Sequence, residues 1–85
     1  MTTGLESRIL EVLRQAAGTG EVLRDPDLRL YESGLLDSLA TVTLMAALAE
    51  DLGLEVSPAE FDHTAWATPR KFVADIMRRL GNGPR

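Results

Sequence analysis

Tyr31-Glu32-Ser33-Gly34-Leu35-Leu36-Asp37-Ser38-Leu39 leads into an apolar run from Val42 to Leu52, and the rest of the chain reads outward from that junction. Gly34 punctuates the end of a loop. Asp37 stands immediately before a helix-period pattern, where a carboxylate can cap the first free backbone N–H groups. Ser38 is then the first helical residue, with its hydroxyl at the positive end of the helix dipole. A phosphate ester there is favoured by the dipole and by unpaired N–H groups, by up to ~1–2 kcal/mol. Asp-Ser at a helix start is also a common cap, so the dipeptide alone does not separate a structural serine from one that carries an anion.

The helix that follows runs from Ser38 to about Leu52 and is closed by Gly53. Val42 or Met45 can pair with Ala49 or Leu52 at helical spacing, while Leu44 and Leu48 mark an adjacent ridge. The apolar surface is wider than one stripe. Part of it is therefore expected to stay exposed for a partner, with Leu39 and Met45 or Ala46 on the rim near Ser38.

Upstream, Leu5, Ile9, Val12, Leu13 and Ala16 recur at helical spacing, with Glu6, Arg8, Glu11 and Arg14 on the other face. This predicts a helix over 5–17, ended by Gly18-Thr19-Gly20. Residues 20–36 form a long connection containing Pro26, and such loops are uncommon unless packed or functional. Leu23, Leu28, Leu30 and Leu35 are its expected anchors. Tyr31 reads as a core aromatic with its hydroxyl at the surface, or as a substrate contact.

Downstream, Ser57-Pro58-Ala59-Glu60 reads as a capping box with proline at the first helical position, which predicts a short helix. Thr68-Pro69 repeats the device and opens a last helix to about Leu80, buried along Phe72, Val73, Ile76, Met77 and Leu80. Gly81 to Arg85 cannot continue it and are expected to fray. The fold class is all-α: a small bundle of three main helices plus one short helix, with a long loop between the first two main helices. Its expected core includes Leu13, Leu44, Leu48, Phe72 and Ile76.

Eighty-five residues with 45% hydrophobic content allow a single domain over 1–85 with one modest core, spanning about 5–80. The chain has no cysteine, so thiol chemistry must arrive with a cofactor. No secretory signal is visible at Met1-Thr2-Thr3-Gly4, and the longest apolar window, Leu44 to Ala49, is too short to span a bilayer, which points to a cytoplasmic monomer. Nine basic residues against thirteen acidic, a net charge of −4, argue against a nucleic-acid partner. The closest thing to a basic patch is Arg70, Lys71, Arg78 and Arg79, of which those at the end of the last helix complement its dipole and solvate its outer face.

Rival chemistries fare poorly. His63, the only histidine, adjoins Asp62, but neighbouring side chains on a turn point different ways and cannot form a triad with a serine. The carboxylates lack the spacing of a calcium loop, and one histidine without cysteine makes a poor zinc site. No catalytic or metal-ligating residue is therefore assigned. A small helical interaction domain in which Ser38 merely starts a helix remains open on these grounds.

Gly34-Leu35-Leu36-Asp37-Ser38-Leu39, inside an acidic helical chain of this length, resembles the carrier protein family (acyl, peptidyl and D-alanyl carriers). The resemblance runs from about Leu5 to Leu80 and implies an acyl-carrier-like bundle. It further implies that Ser38 bears 4′-phosphopantetheine and that the chain is not a catalyst. Expected partners are a phosphopantetheinyl transferase, an amino-acid adenylating enzyme, and a downstream acyltransferase or condensing enzyme. Asp37, by the same resemblance, helps the transferase engage the serine.

Phe61-Asp62-His63-Thr64-Ala65-Trp66-Ala67-Thr68-Pro69 narrows the resemblance toward the D-alanyl carrier proteins, since fatty-acid carriers do not usually have that tryptophan. Phe61 and Trp66 themselves read as core aromatics, and Asp62 as the cap of a turn at His63. Fatty-acid carriers are also strongly acidic beside the modified serine, whereas the outer positions here include Ala40, Thr43 and Ala49, with Glu50 the remaining acid. Recognition is then expected to rest on apolar contact rather than long-range steering. The expected function is an aminoacyl carrier, with D-alanine the implied cargo. A free-standing peptidyl carrier of a natural-product pathway is the alternative, with a fatty-acyl carrier behind it.

Overall fold

Local capping chemistry sets the helix boundaries, and a few buried side chains set how the helices meet. The structure, a computed structural model, describes residues 2–57, 59 and 61–81. In chain order its helices are α1 (Thr2–Ala17), α2 (Glu21–Arg24), α3 (Ser38–Leu52) and α4 (Pro69–Arg79).

In α1, Ile9, Val12 and Leu13 turn inward and are buried, while Glu11 and Arg14 pair on the outer face at 2.6 Å. Gly18 ends it at φ 74°, a left-handed conformation that favours glycine, with its N–H bonded to the Arg14 carbonyl. This helix is the hub of the bundle, in contact with α2, α3 and α4. Arg8 reaches across to the Asp51 carbonyl at 2.8 Å, supplying a donor to the carbonyl end of α3.

The remaining core comes from every other part of the chain: Val22, Leu30 and Leu36, then Leu44 and Leu48 of α3, Val56, Trp66, and Phe72, Val73 and Ile76 of α4. Leu13, Leu44, Leu48, Phe72 and Ile76 are all among the buried residues, as the periodicity predicts. α4 begins as Thr68-Pro69 foretells. The Thr68 hydroxyl accepts the Lys71 N–H and its carbonyl accepts the Phe72 N–H, with proline where no amide proton is needed.

Two expectations are corrected. The connection after α1 is not all loop: Glu21–Arg24 within it form α2, which turns Val22 into the core and leaves Leu23 about half exposed. Leu23 is therefore not an anchor. Leu30 is fully buried and Leu28 and Leu35 are half-buried, while Leu36 is a further anchor that spacing did not reveal. Among the described residues the short helix accompanying the three main ones is α2. The helix expected to open at Pro58 involves Pro58 and Glu60, which lie outside the described residues, as do residues 82–85 of the expected tail.

The loop is tied down by its backbone. Leu30 N–H donates to the Ala67 carbonyl at 2.9 Å, and the Arg70 N–H at the start of α4 donates to the Pro26 carbonyl at 3.0 Å. An exposed Arg70–Asp27 ion pair at 3.1 Å adds little at high dielectric. The loop then turns back at Gly34, with φ 85°, and Leu36 N–H closes onto the Leu30 carbonyl at 2.9 Å. That closure delivers the chain to Asp37.

Candidate functional site at the start of α3

Asp37 has the extended backbone of a helix cap, and its Oδ1 accepts the Ala40 N–H at 2.8 Å. The Asp37 carbonyl takes the Thr41 N–H at 2.9 Å as the first bond of α3. Among the described residues, these bonds leave the N–H groups of Ser38 and Leu39 at the open end of the helix. Ser38 is the first residue of α3 and is exposed, so its hydroxyl faces solvent beside the positive pole of fifteen aligned peptides.

A phosphodiester on Ser38 fits this arrangement. The free amides and the dipole favour the negative charge, and the exposed site leaves room for an extended substituent. The adjoining Asp37 carboxylate opposes that charge but is turned onto the Ala40 N–H.

Thr41 is buried inside the first turn, and its hydroxyl donates to the Asp37 carbonyl at 2.8 Å. The Tyr31 hydroxyl lies 2.8 Å from that same Thr41 oxygen. Tyr31 is half-buried, its ring tilted against Phe61 at 6.1 Å and edge-on to His63 at 4.7 Å. Burial raises its phenol pKa. The tyrosine is accordingly a packed residue with a bonded hydroxyl. Spacing could not reveal its link to Thr41.

Beyond Ser38 the outer face of α3 is apolar. Leu39 is 75% exposed and Val42 62% exposed, among the most exposed large hydrophobic side chains described, and Ala46 is exposed one turn further. Met45 is half-buried and packs partly on the core. Val42, Met45, Ala46, Ala49, Glu55 and Val56 border a shallow groove of about 610 Å³. Val42 is an exposed residue that the sequence reading did not place on the rim near Ser38. Its spacing to Leu39 and Ala46, three and four residues, is the signal that places it on their face.

The residues weighed for other chemistry are occupied elsewhere. Asp62 Oδ1 accepts the Thr64 N–H at 2.9 Å, capping the turn, and the His63 ring lies edge-on to Phe61 at 4.7 Å. Trp66 is buried, edge-on to Phe61 and Phe72 at 5.0 and 5.1 Å. Arg70 pairs with Asp27, and Arg78 and Arg79 both pair with Asp75. Among the described residues no group of three histidine or carboxylate side chains could hold a metal ion, and no helix is long and apolar enough to cross a membrane.

Residues 7–76 match the family described as a phosphopantetheine attachment site. The chain is 38% identical over 72 residues to the D-alanyl carrier protein of Enterococcus faecalis, covering 85% of this chain and 92% of the relative. It is 40% identical over 70 residues to that of Latilactobacillus sakei, covering 82% and 90%. The corresponding protein of Listeria monocytogenes is 38% identical over 68 residues, covering 80% and 87%. The matched residues take in the starts of α2, α3 and α4, and the chain belongs to the carrier proteins that bear a covalent 4′-phosphopantetheine group.

Proposed function

We propose that Ser38 is the attachment residue, and that the modified chain holds an activated amino acid, D-alanine, as a thioester and delivers it to an acceptor. The observation that carries the serine assignment is its exposed position at the head of α3, behind the Asp37 cap and beside unpaired amides. The cargo assignment rests on the D-alanyl carrier proteins to which the chain is similar across most of both lengths.

The chain contributes presentation and not catalysis. It has no cysteine, and the arm when bound supplies the thiol that an acyl carrier needs. Asp37 fixes the start of α3 and adjoins the serine that the transferase must reach. Exposed Leu39 and Ala46, with Met45 at the groove, offer an apolar landing surface for a phosphopantetheinyl transferase, an adenylating enzyme and a downstream acyltransferase. Val42 extends that surface. Glu50 and Asp51 are the only acids of α3 and stand at its far end from Ser38, so apolar burial dominates near the arm.

The test is loading of the phosphopantetheinylated protein by its cognate adenylating enzyme across a panel of amino acids. D-alanine is expected to form the thioester in preference to L-alanine and glycine. Loading by another amino acid with D-alanine rejected would overturn the cargo assignment and favour a peptidyl carrier.

A further inference from the structure

The loop before Ser38 and the helix after it are joined by a chain of hydroxyls with a definite proton direction. Thr41 Oγ1 must donate in its 2.8 Å bond to the Asp37 carbonyl, because a carbonyl has no proton to give. A threonine hydroxyl carries one proton. In the 2.8 Å contact between the two hydroxyls, Tyr31 is therefore the donor and Thr41 the acceptor. Thr41 is only 6% exposed, so water cannot readily replace either partner.

The carbonyl at the end of this chain belongs to the peptide whose other end is the Ser38 N–H. That unit is planar, so holding the Asp37 carbonyl fixes the direction of the Ser38 amide and the base from which its Cβ and Oγ project. Two donors of Thr41, the hydroxyl and the N–H at 2.9 Å, grip the carbonyl together. Tyr31 locks the hydroxyl donor in place and is itself braced edge-on by His63 at 4.7 Å.

We infer that Tyr31 and Thr41 are positioning residues for phosphopantetheinyl transfer, holding the Asp37–Ser38 peptide so that the serine hydroxyl is presented in line with the phosphorus it attacks. The inference rests on Ser38 as the attachment residue. In the transfer, the Ser38 Oγ–P bond forms as the pyrophosphate P–O bond of coenzyme A breaks. Adenosine 3′,5′-bisphosphate leaves, and the serine proton passes to the transferase.

The experiment uses the full-length unmodified chain, coenzyme A and a broad-specificity phosphopantetheinyl transferase, with initial rates read by intact mass below each variant's unfolding temperature. Tyr31→Phe and Thr41→Val are expected to lower kcat by about three- to tenfold, one hydrogen bond's worth, with KM unchanged because the docking face is untouched. Thr41→Ser, which keeps the donor, restores the rate. The double variant falls no further than Thr41→Val, since both act through the same carbonyl. The Ser38 amide resonance shifts in Tyr31→Phe.

Folded variants with wild-type kcat and an unmoved Ser38 resonance would overturn the inference, as would an effect confined to KM. Should Thr41→Val fail to fold, Tyr31→Phe decides alone, because it deletes a single oxygen and keeps the ring. Modification of the wild-type chain at Ser38 with unaffected variants sinks this inference only. A wild-type chain left unmodified, or modified elsewhere, sinks the attachment assignment and this inference with it.

Discussion

The indole N–H of Trp66 donates to Asp75 Oδ2 at 2.8 Å, and both side chains are buried. Arg79 Nε reaches the same oxygen at 2.7 Å, and Arg78 bonds the other. An indole this deep needs an acceptor, and a buried carboxylate needs donors and positive charge. One contact meets both needs. It also ties the turn that carries Phe61 and His63 to α4, and through their rings supports Tyr31 beside the start of α3.

Removing the acceptor should be costly. Asp75→Ala leaves the Trp66 N–H buried without a partner, for which the loss is about 1–3 kcal/mol. Urea unfolding followed by tryptophan fluorescence measures it directly, and a loss below half a kilocalorie would contradict the tether.

The same contact gives a pH dependence. Burial raises the Asp75 pKa, but hydrogen bonds from Arg79 and Trp66, the Arg79 charge and a hydrogen bond from Arg78 outweigh it and hold the carboxyl below its ordinary value. The native state therefore binds this proton less readily than the unfolded chain does. The stabilisation is complete above the unfolded carboxylate pKa of about 3.9 and is lost as pH falls through the lower folded value. Stability measured from pH 7 down to acid should fall less steeply in Asp75→Asn. A residual slope is expected from Glu11, whose pKa is lowered to about 2 by hydrogen bonds from Arg14 and Gln15.

Two residues of α3 separate core from surface. Leu48 is 0% exposed, so Leu48→Ala should cost about 2–5 kcal/mol in urea unfolding. Val42→Ala on the outer face should change stability by no more than about half a kilocalorie. Equal effects would mean that the helix is rotated from the orientation described.

Partner recognition should follow the outer face. Leu39→Ala or Val42→Ala is expected to weaken aminoacyl loading about fivefold, the effect of losing roughly 1 kcal/mol of apolar burial. Met45→Ala should also weaken loading, and Glu50→Gln should matter less than any of the three. Loading should fall only modestly with salt, since few charges are available to screen. A steep salt dependence with a dominant Glu50 effect in the loading assay would show recognition to be electrostatic.

What could be read from the residues was local chemistry. Asp37 and Gly53 bracket α3 at both ends, and Thr68-Pro69 marks the start of α4, because caps act within one turn. α2 was not legible: four residues carry no periodicity, and its N-cap is Gly20, which has no side chain to cap with. In α3, apolar residues on several faces hide which one is buried, so Val42 could be assigned outward only once Thr41, Leu44 and Leu48 were seen inside. The Tyr31–Thr41 bond joins a loop to a helix ten residues on, a tertiary event without a motif. Ser38 was legible as a helix start, but its chemical role came from the family resemblance around it.

The most direct measurement is intact mass after coexpression with a broad-specificity phosphopantetheinyl transferase, for wild type and Ser38→Ala, with circular dichroism to confirm that both are folded. The wild-type chain should gain a single phosphopantetheine group, and Ser38→Ala, equally helical, should gain none. A folded Ser38→Ala chain that still acquires the group, on Ser33 or anywhere else, would contradict the account.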